Sequence, residues 1–286
     1  MTRVGHGAAE GPLDASLERH VGCHLEAELS GESGLVLAVA VADPSPATLV
    51  ESLGVTLDGH PLPVTEVTGP GGTRWHATHS GPGALVVDYR ATVTGRPAAH
   101  PVAPVDRIVH VRPSRYAQAD LLYGDLLPDG LIERFMAIPP RHRVLVVRDW
   151  VHEALDYRQG TTSPTDSVIE ALEHAHGVCR DFAHVTAAIL RATDLPARTV
   201  SVYAPQLVPM DFHAVVEVAI DDEWLLLDAT GLAPREGMLR IATGRDSADT
   251  AFLANDGSWL TLTGIRVTAT ASQEFSEDSN AEVALR

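Results

Sequence analysis

The 286-residue sequence predicts an α+β chain: an N-terminal β-sandwich or barrel-like unit, then an α+β core carrying an antiparallel sheet. Three observations point there. Short apolar and β-branched runs, separated by Gly, Pro and Asp turns, fill residues 16–110. Helical spacing of apolar residues appears only afterwards, first in RHRVLVVRDWVHEALDY. Strand-like segments then return in ARTVSVYA, HAVVEVAI and EWLLLDAT.

Taken in order, residues 1–15 are Gly/Ala-rich and read as a mobile N-terminus. GLVLAVAVAD, VTLDGHPLPV, RWHATHSG and ALVVDYRATVTG supply the strands of the 16–110 unit, with Asp58-Gly59 as a hairpin turn. Residues 111–139 read as a linker with short helices. In the stretch that follows, residues 140–270, Val144, Val147, Val151 and Leu155 share one helical face. Ser163, Pro164 and Asp166 predict the start of a second helix, and Gly177 its stop. A third helix opens at Cys179, buries Phe182, Val185 and Ile189, and ends before Asp194-Leu195-Pro196. GIRVTATA reads as a last strand of this unit, and residues 271–286 as a frayed acidic tail.

Composition narrows the function. The formal charge is −17, from 21 basic and 38 acidic residues, which argues against nucleic-acid or anionic-membrane partners. The first residues lack the apolar segment of a signal peptide, and no apolar run is long enough for a bilayer span, so a cytoplasmic location is expected. Two cysteines far apart make no disulfide framework. All 21 basic residues are arginine. The chain therefore offers no lysine amine.

Cys179 is the residue that raises a chemical question. A free cysteine is usually a small buried hydrophobe. Here it opens a helix, where unpaired N–H groups and the macrodipole favour an anionic sulfur. A nucleophilic thiol also needs a base, and the base needs an orienting partner. His213 heads one strand and Asp228 stands near the end of the next. If Asp221-Asp222 form a two-residue turn, Ile220 faces Glu223 and Val215 faces Asp228. His213 and Asp228 are then diagonal neighbours on one face, about 7–8 Å apart at the backbone. A three-residue turn would put them on opposite faces.

GVCRDFAH, DFHAVVEV and WLLLDAT, in that order, resemble the bacterial branch of the transglutaminase-like superfamily, a relative of the papain-like cysteine peptidases. The flanks PSRYAQAD and LAPREGMLRIATGRDSADTAF extend the resemblance over residues 110–255. It implies a papain-like fold with Cys179 as nucleophile, His213 as base and Asp228 as orienting carboxylate. It also implies acyl transfer on a protein or peptide amide through a thioester, without a cofactor; the expected intracellular setting and the lack of a metal-site pattern favour hydrolysis over cross-linking. The Cys179 N–H would hold the oxyanion, with Tyr157 or Gln159 as the second donor. Many members carry an aromatic residue where this chain has Val215. The alternative is a peptide-binding protein that keeps the fold without the chemistry.

The other reactive side chains have plainer readings. Cys23 has no such company and reads as structural. Arg180 and Asp181 read as a helix-start ion pair, and His184 as a packed or hydrogen-bonded histidine. His174 and His176 lack the further ligands of a zinc site, so no metal is expected.

Overall fold

A computed structural model describes residues 17–122 and 126–286. The segment read as a mobile N-terminus lies outside the described residues. The first half supplies Glu18–Leu29 (β1), Ser33–Leu37 (β2), Thr48–Leu57 (β3), His60–Pro61 (β4), Thr65–Thr68 (β5), Arg74–Ser80 (β6) and Gly83–Thr94 (β7). After them come Asp106–Val109 (α1), Leu131–Met136 (α2), Pro140–Ala154 (α3), Asp156–Tyr157 (β8), Val168–His174 (α4), His176–Gly177 (β9) and Cys179–Ala192 (α5). The chain continues through Ala197–Tyr203 (β10), His213–Ile220 (β11), Glu223–Leu227 (β12), Leu239–Gly244 (β13), Ser247–Thr250 (α6), Leu253–Asn255 (β14) and Leu260–Ala271 (β15).

The N-terminal part is a sandwich. One sheet runs β15-β1-β7-β3-β4 and the other β14-β2-β6-β5. Alternation along β1 puts Val21, Cys23, Leu25, Ala27 and Leu29 inward, against Leu35 and Leu37 of β2 and Val87 and Tyr89 of β7. Asp58 and Gly59 both have positive φ and turn β3 into β4, as expected for Asp-Gly.

A third sheet, ordered β12-β11-β10-β13, is the antiparallel sheet of the core. Val216, Val218 and Ile220 from one of its faces pack with Phe182, Val185 and Ile189 of α5 and with Val144, Val147 and Val151 of α3. The helical spacing read from the sequence is therefore the spacing that meets this sheet. Among the described residues, no helix is long and apolar enough to cross a membrane.

Three expectations need correction. β14 and β15 lie within residues 140–270, yet they belong to the N-terminal sandwich: β15 pairs along the whole of β1. Tyr203, Leu239 and Ile241 of the third sheet also join the sandwich core, so the two parts share one apolar interior. The tail is not frayed. Phe275 and Leu285 are buried, Leu226 N–H donates to Val283 O at 2.7 Å, and Arg235 holds Glu277 at 2.7 Å. Lastly, α4 starts later than Ser163. Ser167 caps it in a reciprocal box with Glu170, while Ser163 and Asp166 close a separate turn. The helix ends at Ala175, in the left-handed region, rather than at Gly177.

Candidate active site

Each candidate side chain sits at an element end that the local sequence fixes. Cys179 is the first residue of α5, so its N–H has no intrahelical acceptor. Asp181 closes the helix start by accepting the Val178 N–H at 2.9 Å and pairs with Arg180 at 2.9 Å. A Cβ on Gly177 would lie 2.5 Å from the Asp181 Cβ, so this approach requires glycine. Arg180 and Asp181 thus have the structural role read from the sequence.

His213 is the first residue of β11. The turn at Asp221-Asp222 has two residues: Ile220 pairs with Glu223 and Val216 with Leu227. This is the even-length turn needed to bring His213 and Asp228 to one face. His213 Nε2 and Asp228 Oδ2 are 2.7 Å apart, with the two residues 2% and 7% exposed. The second carboxylate oxygen of Asp228 accepts both the N–H (2.8 Å) and the hydroxyl (2.7 Å) of Thr230. From α3, His152 Nδ1 binds the neighbouring Ala229 carbonyl at 2.9 Å, which steadies this loop.

The other His213 nitrogen, Nδ1, is buried and has no hydrogen-bond partner among the described residues. The thiol of Cys179 is the neighbour that acts on the ring besides Asp228. Burial opposes charge on this ring. The Asp228 carboxylate, by charge and by hydrogen bond, and then the Cys179 sulfur outweigh it and hold the imidazole well above its ordinary value. Burial likewise opposes ionisation of Asp228, but His213 and Thr230 keep its carboxyl below the usual range. The site thus sets a cationic ring beside the half-buried Cys179 sulfur.

Tyr157 reaches the same place through a two-residue parallel bridge: β8 pairs with β9, Tyr157 opposite Gly177. Its phenol lies against the Cys179 backbone and the Gln159 side chain. Burial first, and the Cys179 sulfur next, push it up to about 12, so it stays a neutral O–H donor at neutral pH. Of the two candidate oxyanion donors, Tyr157 therefore lies beside Cys179, and the Gln159 side chain reaches its phenol.

Two features escaped the sequence reading. The Phe212 carbonyl lies 4.0 Å from Cys179 Sγ, and Asp211 stands at the rim beside it. Their adjacency to His213 was the available signal. Val215, two residues after His213, is buried in a cluster with Val200 and Leu226. Away from the site, His184 is fully buried, stacked on Tyr116 and accepting the Ser247 N–H at 3.1 Å. His174 and His176 stack on each other, 5.6 Å between ring centres. Among the described residues, no group of three or more His, Cys, Asp or Glu is placed to hold a metal ion.

Residues 134–229 match the transglutaminase-like superfamily, a span that includes all three candidate triad residues. The chain has a transglutaminase-like core. Its whole fold is similar to a Cytophaga hutchinsonii protein solved at 1.9 Å and assigned as a cysteine protease. The two are 28% identical, with a TM-score of 0.80 over 94% of this chain and 96% of that one. An uncharacterised Mycobacterium leprae protein is 32% identical over 120 residues, 39% of this chain and 43% of that one. An uncharacterised Mycobacterium tuberculosis protein is 33% identical over 130 residues, 39% and 41% of the two chains. The match thus spans less than half the length of either curated relative.

The two cysteines should differ in reactivity. Cys23 is buried in the sandwich, and burial pushes its thiol up to about 11. At pH 6, iodoacetamide is expected to label Cys179 at least about tenfold faster than Cys23, read by peptide mass spectrometry. Equal rates would remove the case for an activated sulfur in the transglutaminase-like core.

Proposed function

We propose that this protein is a cysteine-dependent acyl-transfer enzyme that hydrolyses amide bonds of proteins or peptides. The observation that carries the reading is the relay itself: a helix-start thiol, a histidine with one buried nitrogen left for it, and a carboxylate 2.7 Å from the other nitrogen.

The chemistry follows from those positions. The Cys179 sulfur attacks the amide carbonyl. The developing oxyanion is met by the Cys179 N–H and the Tyr157 hydroxyl, oriented by Gln159. The His213 imidazolium gives its proton to the leaving amine, and Asp228 holds the ring in position throughout. A thioester remains on Cys179. Water, deprotonated by His213, then attacks it and releases the acid. The whole-chain similarity to a protein assigned as a cysteine protease favours water over an amine as acceptor.

The test uses a panel of glutamine-containing peptides with and without an added primary amine, measuring ammonia, cleavage and amine incorporation together. Acid product or cleavage is expected, unchanged by the amine. Amine incorporation in place of acid would make the protein a transferase. No turnover, together with an inert Cys179, would leave the peptide-binding alternative.

A further inference from the structure

Asp211 is the carboxylate at the reaction site that the relay does not use. It ends the connection from β10 and stands two residues before His213. Its position is anchored by the next residue. The Phe212 ring stacks on Phe252 at 4.9 Å and leans on Tyr203 at 5.6 Å, while the Phe212 carbonyl lies 4.0 Å from Cys179 Sγ.

The neighbouring acids are neutralised. Asp156 pairs with Arg158 at 2.7 Å, Asp181 with Arg180 at 2.9 Å, and Asp228 with His213. The Asp211 side chain instead accepts a single hydrogen bond among the described residues, the Phe212 N–H at 2.7 Å. The residue is exposed; desolvation holds its carboxyl above the ordinary value, the nearby His213 charge opposes that rise, and on the other side its own charge acts on Tyr157. Those two residues flank the sulfur. Among the described residues, Asp211 therefore carries a negative charge beside the site without a basic side chain in ion-pair contact.

We propose that Asp211 is a specificity-determining residue, selecting substrates with a cationic group, an arginine or lysine side chain or an alkylammonium, next to the amide that reacts. This rests on Cys179 being the reacting nucleophile. The side chain acts on approach and placement of the substrate and takes no part in bond making. A cation held several ångströms away at a partly solvated rim gains a few-fold to about tenfold in encounter and binding, and an anion loses as much.

The test reads charge at the sulfur without requiring amide turnover. Cys179 is labelled at pH 8 with two methanethiosulfonate reagents, one carrying trimethylammonium and one carrying sulfonate, and each rate is taken from the mass of the Cys179 peptide. The cationic reagent is expected to react faster. Asp211→Asn keeps an acceptor for the Phe212 N–H and should lower the cation-to-anion rate ratio about tenfold or more. Asp211→Glu should restore most of the ratio. Asp222→Asn is the control for net charge, since Asp222 lies in the turn at the far end of the eight-residue β11, roughly 25 Å away. It should leave the ratio unchanged. A ratio that Asp211→Asn does not move, or that Asp222→Asn moves equally, overturns the proposal. Peptide turnover is scored separately, so absent turnover with an intact rate ratio counts against the hydrolase reading alone.

Discussion

Cys179→Ala is expected to lower amide turnover by at least about a thousandfold, with the fold intact. The side chain is small, half-buried and at a helix start, so its loss leaves no large cavity. His213→Ala should cost as much, because the ring both activates the sulfur and delivers the proton to the leaving amine. Asp228→Asn keeps the shape but removes the charge that holds the ring, and a loss on the order of a hundred- to ten-thousandfold is expected. The three act as a unit, so the Cys179→Ala/His213→Ala double variant should be hardly worse than either single one. Steady-state kinetics alongside thermal unfolding checks all four. Turnover in Cys179→Ala near the wild-type rate would end the thioester mechanism.

Glu217→Ala is expected to produce the largest stability loss. Glu217 lies four residues beyond His213 on β11 and is 1% exposed. It accepts from Arg198 Nε of β10 at 2.7 Å and from Arg240 of β13 at 2.6 and 2.9 Å. The Arg198 guanidinium also lies over the Trp224 ring of β12, 3.8 Å from its centre. One charge cluster thus touches all four strands of the sheet that presents His213. Removing its anion leaves two buried guanidinium groups uncompensated, at a cost of about 3–5 kcal/mol. Tm should fall by roughly 10 °C. Replacing all three charges with apolar residues of similar volume should destabilise less than Glu217→Ala alone. Burial opposes ionisation of Glu217, yet the two arginines push its carboxyl down to about 2, below the ordinary 4.5. Its stabilisation is therefore complete above pH 4.5 and is lost as pH falls toward 2. Acid titration of the wild type against the apolar triple variant measures that window. An unchanged Tm in Glu217→Ala would show that the cluster does not hold the sheet.

What was legible in the sequence was local. The Asp221-Asp222 turn sets the register of β11 and β12, and register decides whether His213 and Asp228 can meet. The start of α5 was equally readable, because the apolar spacing after Cys179 has a single phase. The start of α4 was not, because two consecutive boxes, Ser163 with Asp166 and Ser167 with Glu170, compete within eight residues. The second prevails, placing Val168 and Ala171 in the core. Partners distant in sequence left no local mark. Nothing in GIRVTATA tells β1 from β10 as its neighbour. The acidic character of residues 271–286 hid Phe275, which lies against Gly237 and Gln206, and Leu285, which clusters with Val200 and Leu226. Tyr157 was named as a candidate donor, but the β8–β9 bridge that carries it to Cys179 is too short to show in any periodicity.

The return of β15 to β1 interlaces the two parts of the chain. The strand that follows the reactive half completes the sandwich begun by the first described residues, and Arg19 reaches the carbonyl of Arg286 at 3.0 Å. The last residue is thereby stitched to the first strand. Such a molecule cannot be pulled apart like beads on a string. A fragment ending before β14 would strip the sandwich of strands from both sheets, and one beginning after β7 would leave β15 as an orphan. The chain should melt in a single cooperative step. A protease nick in the segment between β7 and α1 should leave both pieces bound together under native conditions, separating only when the whole fold is lost.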